Sequence, residues 1–285
     1  VSRKAKEAFR DILFLRLAMK KEVLYVEAKD CKIYCEKRGQ GPLLVIMPDG
    51  VNDCELYAEV ARLMADEFTV ITFDPRGGSR SMPTVHQKVT PEILADDIAC
   101  IIKQMKMGKA SLYGCSSGGQ GVLMTGVKYP ELIKNVMVHE AALQMDVQLE
   151  GCGFNYIVKF GETYGPHLKG RNVNPFFAAL FVDTFPEKDF DRDTNDRIEK
   201  NLAYWNEYYL GTVDTHSYTK EELAKIPACD FTVGSWSPAW HPYANIETAK
   251  RGGFSYAWMP SAHYPVLSCP EIFAEHLKRT IHKYD

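Results

Sequence analysis

The chain has little of what marks most binding classes. No cluster of Lys and Arg interleaves with aromatics, and 34 basic against 37 acidic residues leave a net charge of only −3, so the electrostatic footprint of a nucleic-acid binder is missing. No apolar run is long enough to cross a bilayer; the longest near the start, Ile12 to Met19, is interrupted by Arg16. None of the eight cysteines (Cys31, Cys35, Cys54, Cys100, Cys115, Cys152, Cys229, Cys269) belongs to a CxxC pair, which removes zinc ribbons and thioredoxin-type motifs. Most of them are expected as buried free thiols in a reducing compartment, here the cytoplasm. Repeats and low-complexity tracts are absent too, and no targeting segment shows in a chain that opens on Val1. The 285 residues, 46% hydrophobic and 25% charged, suit one large α/β domain with an insertion.

What is present centres on one stretch. Ala110-Ser111-Leu112-Tyr113 has strand character, Gly114-Cys115-Ser116-Ser117-Gly118 is a Gly-x-Ser-x-Gly turn, and Gln120 to Met124 has helix spacing. Strand, sharp turn and helix together make a nucleophile elbow, in which the turn lifts Ser116 Oγ above the sheet edge. The helix that follows offers it unpaired N–H groups and a positive dipole end. Gly114 and Gly118 answer to close chain contacts on both sides of a strained corner.

Before the elbow, residues 3–21 carry a narrow amphipathic stripe and predict a helix that packs on the fold. Strands are predicted over 22–27, 32–37, 43–47 and 69–73, the last two without polar alternation, as in strands buried on both faces. Helical spacing covers 56–66 and 93–105, with Thr90 as cap and Pro91 as first helical residue. After the elbow come strands at 136–138, 229–234 and 254–259 and a closing helix over 270–283. Alternating strands and helices imply a mostly parallel central sheet flanked by helices. Residues 143–224 break this pattern with aromatic-rich helical segments, including Phe154, Phe160, Phe176, Tyr204, Trp205 and Tyr209, and are expected to form a cap. The domain reading is therefore an N-terminal helix at 1–21, a core of 22–142 with 225–285, and a cap inserted at 143–224.

A serine hydroxyl needs a base, and the base a carboxylate, each from the C-terminal end of a strand. His263 lies between the last strand and the last helix, where the base is wanted; His241, just past the strand at 229–234, is its rival. The remaining histidines sit in loops, the cap or the closing helix. The loop Gly234 to Trp240 contains no carboxylate, and Asp230 precedes its strand, at the wrong end of the sheet. Glu140, after Val138-His139, falls in the layer that reaches His263; Asp49 and Asp74 are weaker candidates, and His139 is expected to be half-buried and satisfied. The backbone N–H groups of Ser117 and of Gly50, in the turn Pro48-Asp49-Gly50, are the candidate oxyanion donors.

Pro48-Asp49-Gly50, Thr72-Phe73-Asp74 with Gly77 to Ser81, Gly114-Cys115-Ser116-Ser117-Gly118, His139-Glu140, Asp230 to Gly234 and Pro260-Ser261-Ala262-His263-Tyr264-Pro265 resemble the zearalenone hydrolase (zearalenone lactonase) family of α/β-hydrolases. The likeness covers about residues 30 to 283. It implies a Ser116, His263, Glu140 triad with Gly50 and Ser117 as oxyanion donors, and Trp205 as a substrate-contacting cap residue; Asp49 joins Trp205 as a substrate-binding expectation. It further implies a carboxylic ester hydrolase without metal or organic cofactor, acting on a small-molecule lactone or ester, with no nucleic-acid or membrane partner and room for a homodimer. The cap and the N-terminal segment depart from the family. Another ester or a carbon–carbon bond as substrate, or a hydrolase-derived binding protein, are the alternatives.

Overall fold

The structure is a computed structural model and describes residues 20–143, 192–237 and 240–285. The helix expected at 3–21 lies outside these residues except for Lys20 and Lys21, which are not helical. Among the described residues eight strands form one sheet: β1 (Glu22–Ala28), β2 (Cys31–Arg38), β3 (Leu43–Met47), β4 (Thr69–Phe73), β5 (Ala110–Cys115), β6 (Ile133–His139), β7 (Cys229–Gly234) and β8 (Ser255–Met259), in the order β1-β2-β4-β3-β5-β6-β7-β8. From β4 across to β8 every pairing is parallel. The first two strands depart from that pattern. No helix separates them, so they close as a hairpin through Lys29 and Asp30, the latter at φ 59°, and β2 meets β4 antiparallel.

The unbroken hydrophobic strands split by their two-residue period into two cores. Leu43, Val45 and Met47 of β3 face one core, with the helices α2 (Pro91–Met105) and α3 (Ser117–Lys128). Leu44 and Ile46 face the other, with α1 (Ala58–Met64) and the closing helix α8 (Pro270–His282). Each β3 residue is fully buried, as both faces of the strand require. Pro91 opens α2 as expected, but Thr90 caps it through its backbone: its carbonyl accepts from Leu94 N–H at 3.2 Å and its side chain makes no cap bond.

Of the expected cap, residues 144–191 lie outside the described residues, Phe154, Phe160 and Phe176 among them. The described part holds α4 (Arg192–Tyr208) and the short α5 (Lys220–Leu223) before β7 begins. Between β7 and β8 runs α6 (Trp240–Gly252), and α7 (Pro265–Ser268) precedes α8. Helix α4 lies against the C-terminal ends of the strands. The amide of Asn201, at 0% exposure, donates to the Val51 and Asn52 carbonyls at 2.8 and 3.2 Å and accepts from Ser79 N–H at 2.6 Å. One turn earlier Arg197 Nε donates to Asp53 at 2.8 Å. The described cysteines are all free thiols, and no described helix is long and apolar enough to cross a membrane.

Candidate active site

The elbow is built as its sequence demands. Ser116 joins β5 to α3 at φ 55° and ψ −124°, a conformation that non-glycine residues rarely adopt and that surrounding contacts must hold. Those contacts are specific: Ser116 N–H donates to His139 O at 3.1 Å, and Ser116 O accepts from Gly119 and Ala142 N–H at 3.0 and 2.9 Å. A Cβ on Gly114 would stand 2.3 Å from Gly118 O, and one on Gly118 would stand 2.3 Å from Pro48 O. Both glycines therefore serve close backbone approach.

That approach sets the turn after β3 beside the start of α3. Met47 pairs with Gly114 in register, so Gly50 and Ser117 flank the same corner. Ser117 N–H is the first of α3 and by helix geometry has no partner within it; among the described residues neither it nor Gly50 N–H is bonded to an acceptor. One free donor at a helix start and a second in the facing turn make a pair that could hold a developing oxyanion.

Asp49 shapes this turn from below. It is 0% exposed, and its carboxylate accepts from Val51 N–H at 2.8 Å and Tyr57 Oη at 2.9 Å, with Tyr264 also bonded to it. Burial raises its pKa and these bonds oppose that rise. A substrate contact, as expected for Asp49, would require it to release one of these partners. Asp74 is likewise engaged, by Arg80 Nε and Nη2 at 2.6 and 2.9 Å.

Glu140 and His263 come together. Glu140 follows β6 directly at φ 43°, and His263 Nδ1 donates to its Oε2 at 2.8 Å, both side chains being buried. A thiol ties the His263 loop to the elbow: Cys115 Sγ, on the residue before Ser116, donates to His263 O at 3.4 Å. Ser116 Oγ itself makes no hydrogen bond among the described residues; triad contacts commonly tighten only in the reacting complex. The loop after β7, which lacks a carboxylate, supplies donors to one instead. Gly234 N–H reaches Glu140 Oε1 at 2.8 Å and Ser237 Oγ donates to Oε2 at 2.9 Å. Burial works against ionisation of Glu140, yet bonds from His241 and His263 outweigh it and hold its carboxyl well below the usual range. Glu140 is thus the anion; it engages Nδ1 of His263, and Nε2 is the ring nitrogen that the acid does not hold.

The other candidates separate cleanly. His139 is fully buried rather than half-buried, its Nδ1 3.0 Å from Thr232 Oγ1 and its Nε2 3.3 Å from Ala262 O. Burial lowers its pKa to about 4, so it stays neutral. Asp230 lies within β7 rather than before it, near the end of the strand away from the elbow, where it binds Lys283 Nζ at 2.7 Å and Tyr284 Oη at 2.6 Å. His241 does not stand apart from His263; its Nδ1 is 3.5 Å from the same Glu140 Oε2. Gly234, Ser237 and Asn201 escaped the sequence reading. Only Ser237 left a signal, as a hydroxyl three residues past β7 in a loop without acids.

Among the described residues two side-chain groups bring three metal-type ligand atoms within 4.8 Å of one another: Glu140 with His241 and His263, and Asp53 with Cys54 and Asp74. Neither suits a cation. The two imidazoles of the first are stacked, so their lone pairs do not converge. In the second Arg80 binds both carboxylates, and burial pushes the Cys54 thiol well above its ordinary value.

Trp205, one turn after Asn201 on α4, rests on the Pro48-Asp49-Gly50 turn, and its Nε1 is buried without a partner. A Cβ on Gly50 would meet that Nε1 at 2.9 Å. Gly50→Ala therefore displaces either the indole or the donor, and kcat/KM is expected to fall about tenfold to a hundredfold with thermal stability nearly unchanged. Steady-state kinetics beside a melting curve checks this.

Comparison with known proteins places the chain. The family model described as "alpha/beta hydrolase fold" matches residues 42–231. A zearalenone hydrolase of Cladophialophora bantiana is 30% identical over 256 residues, 88% of this chain and 93% of that protein. The chain belongs to the zearalenone hydrolase family of α/β-hydrolases. A second zearalenone hydrolase, from Bionectria ochroleuca, is 27% identical over 261 residues, covering 88% of this chain and 94% of its own. Among solved structures a putative lipase of Acinetobacter baumannii superposes with a TM-score of 0.75 at 16% identity, covering 97% of this chain and 96% of its own. An enol-lactonase of Burkholderia xenovorans does so with 0.67 at 16%, covering 91% and 100%. Likenesses at that identity speak for the fold. Family membership makes the chain an enzyme of the carboxylic ester hydrolase class.

Proposed function

We propose that this family member opens the ring ester of a macrocyclic lactone of the zearalenone type through an acyl-enzyme on Ser116. The observation that carries the reading is the 2.8 Å bond from His263 Nδ1 to a buried, ionised Glu140 beside the elbow. It leaves Nε2 free to take a proton, which is the arrangement nucleophilic catalysis by serine needs. The relatedness to two zearalenone hydrolases supports the substrate class.

In the proposed reaction His263 Nε2 takes the proton of Ser116 Oγ as the oxygen attacks the lactone carbonyl carbon. The carbonyl oxygen becomes an oxyanion between the N–H groups of Gly50 and Ser117. Collapse breaks the ring C–O bond, and His263 returns its proton to the departing ring oxygen. The new hydroxyl stays tethered to the acyl group, so water must attack before the ring recloses. His263 deprotonates that water, the second tetrahedral adduct collapses, and Ser116 Oγ leaves with its proton restored. The indole N–H of Trp205, unpartnered beside Gly50, bonds a phenolic or keto oxygen of the substrate in this reading.

The test is chromatography with mass detection of zearalenone incubated with the purified protein in isotopically labelled water. The expected product is a hydroxy acid heavier by one water, with the label in its carboxylate. Unchanged zearalenone alongside rapid hydrolysis of simple aryl esters would leave the ester chemistry standing and overturn the macrolactone.

A further inference from the structure

The sequence offers two histidines for one role, and the structure lays them on one another. His241, in the first turn of α6, is buried at 4% exposure with its ring stacked on that of His263, centroids 4.2 Å apart and planes 15° from parallel. Its Nδ1 stands 3.5 Å from Glu140 Oε2, at the long edge of a hydrogen bond, while His263 Nδ1 stands 2.8 Å from the same oxygen. An imidazole held by one hydrogen bond can still rock about that bond. A flat ring against its face removes this freedom.

The stack has its own support, independent of His263. Asn245, fully buried on the next turn of α6, donates from Nδ2 to His241 O at 2.9 Å and to Ala141 O at 3.1 Å, and accepts Ala141 N–H on Oδ1 at 2.8 Å. Ala141 follows Glu140 directly. One amide therefore fixes the backbone of the acid and the backbone of the stacking ring to each other.

We propose that His241 is a positioning residue: its ring is a plate that holds the His263 imidazole in the tilt that its bond to Glu140 leaves free, the tilt the proposed reaction needs for Nε2 to reach Ser116. The claim rests on His263 being the base, as in the proposed function. Burial, with the neighbouring His263 adding to it, lowers the His241 pKa to about 4, so over the working range the plate is uncharged and does not repel the imidazolium formed during reaction. A neutral aromatic face also stabilises that cation. The groups around the pair from other elements are Glu140 and His139 at the end of β6, Asp49 after β3, Cys115 on β5 and Tyr264 beside His263; Glu140 is the closest anion.

Three variants of the full chain, His241→Ala, His241→Phe and His263→Ala, are compared by steady-state kinetics and by their rate of labelling with a fluorophosphonate. Removing the plate lowers kcat and the labelling rate together by about tenfold to a hundredfold while KM stays within about twofold, the size expected of a misaligned catalytic group. Phenylalanine, which keeps a flat ring but has no nitrogen, restores both rates to within a few-fold of the parent. If alanine unfolds the protein, the phenylalanine variant decides alone. A phenylalanine variant as inactive as His263→Ala, or an alanine variant with parent kcat, overturns the proposal. Activity retained in His263→Ala and lost in both His241 variants would instead overturn the assignment of the base.

Discussion

Ser116→Ala lowers kcat by at least about ten-thousandfold, the loss typical when the nucleophile of a serine triad is removed. The fold should not register the change. Alanine keeps the Cβ and accepts the same φ of 55° at the same strain, and the three backbone bonds that pin the elbow involve only N–H and carbonyl groups. The melting temperature is therefore expected to stay within about 2 °C of the parent. A variant that loses activity and also melts much lower would speak for a structural serine.

Glu140→Gln carries the second large effect. The glutamate carboxylate accepts from Gly234 N–H, Ser237 Oγ and His263 Nδ1, all donors. A glutamine amide has one accepting end, so either orientation sets an NH2 against a donor, and the His263 tautomer with Nε2 free loses its anchor. A fall in kcat of about a thousandfold to ten-thousandfold is expected, with stability lower by roughly 1–3 kcal/mol from the buried mismatch. Asp230→Asn is the control. Asp230 pairs with Lys283 and Tyr284 at the opposite end of β7, and kcat should remain within about twofold because only a partly exposed pair is lost. The reverse pattern in kinetics and melting curves would mean that the acid lies elsewhere.

Much of this arrangement is legible in the chain because it rests on local rules. The elbow needs small residues before and after Ser116, and the buried strands β3 and β4 cannot hide as anything else when five successive residues are buried. The assignment of Glu140 comes from an absence, the acid missing from the loop after β7, and the structure shows the physical complement: that loop is a set of donors facing Glu140. What escaped depends on contacts between segments far apart in sequence. Nothing near Asn201 signals that its amide bonds three backbone groups of two distant loops. Asp49 looks available for substrate because turns commonly expose their acids. Here Tyr57 and Tyr264 close over it from α8's side of the sheet. His241 and His263 stand as rivals in the sequence for the same reason, since only the fold reveals one carboxylate shared at the edges of two stacked rings.

The most direct measurement for the central claim is peptide mapping by mass spectrometry after the purified protein reacts with a fluorophosphonate. The account predicts one adduct, on Ser116, whose appearance parallels loss of hydrolysis and slows sharply in Glu140→Gln. An adduct on any other residue, or full hydrolytic activity with Ser116 modified, would contradict it.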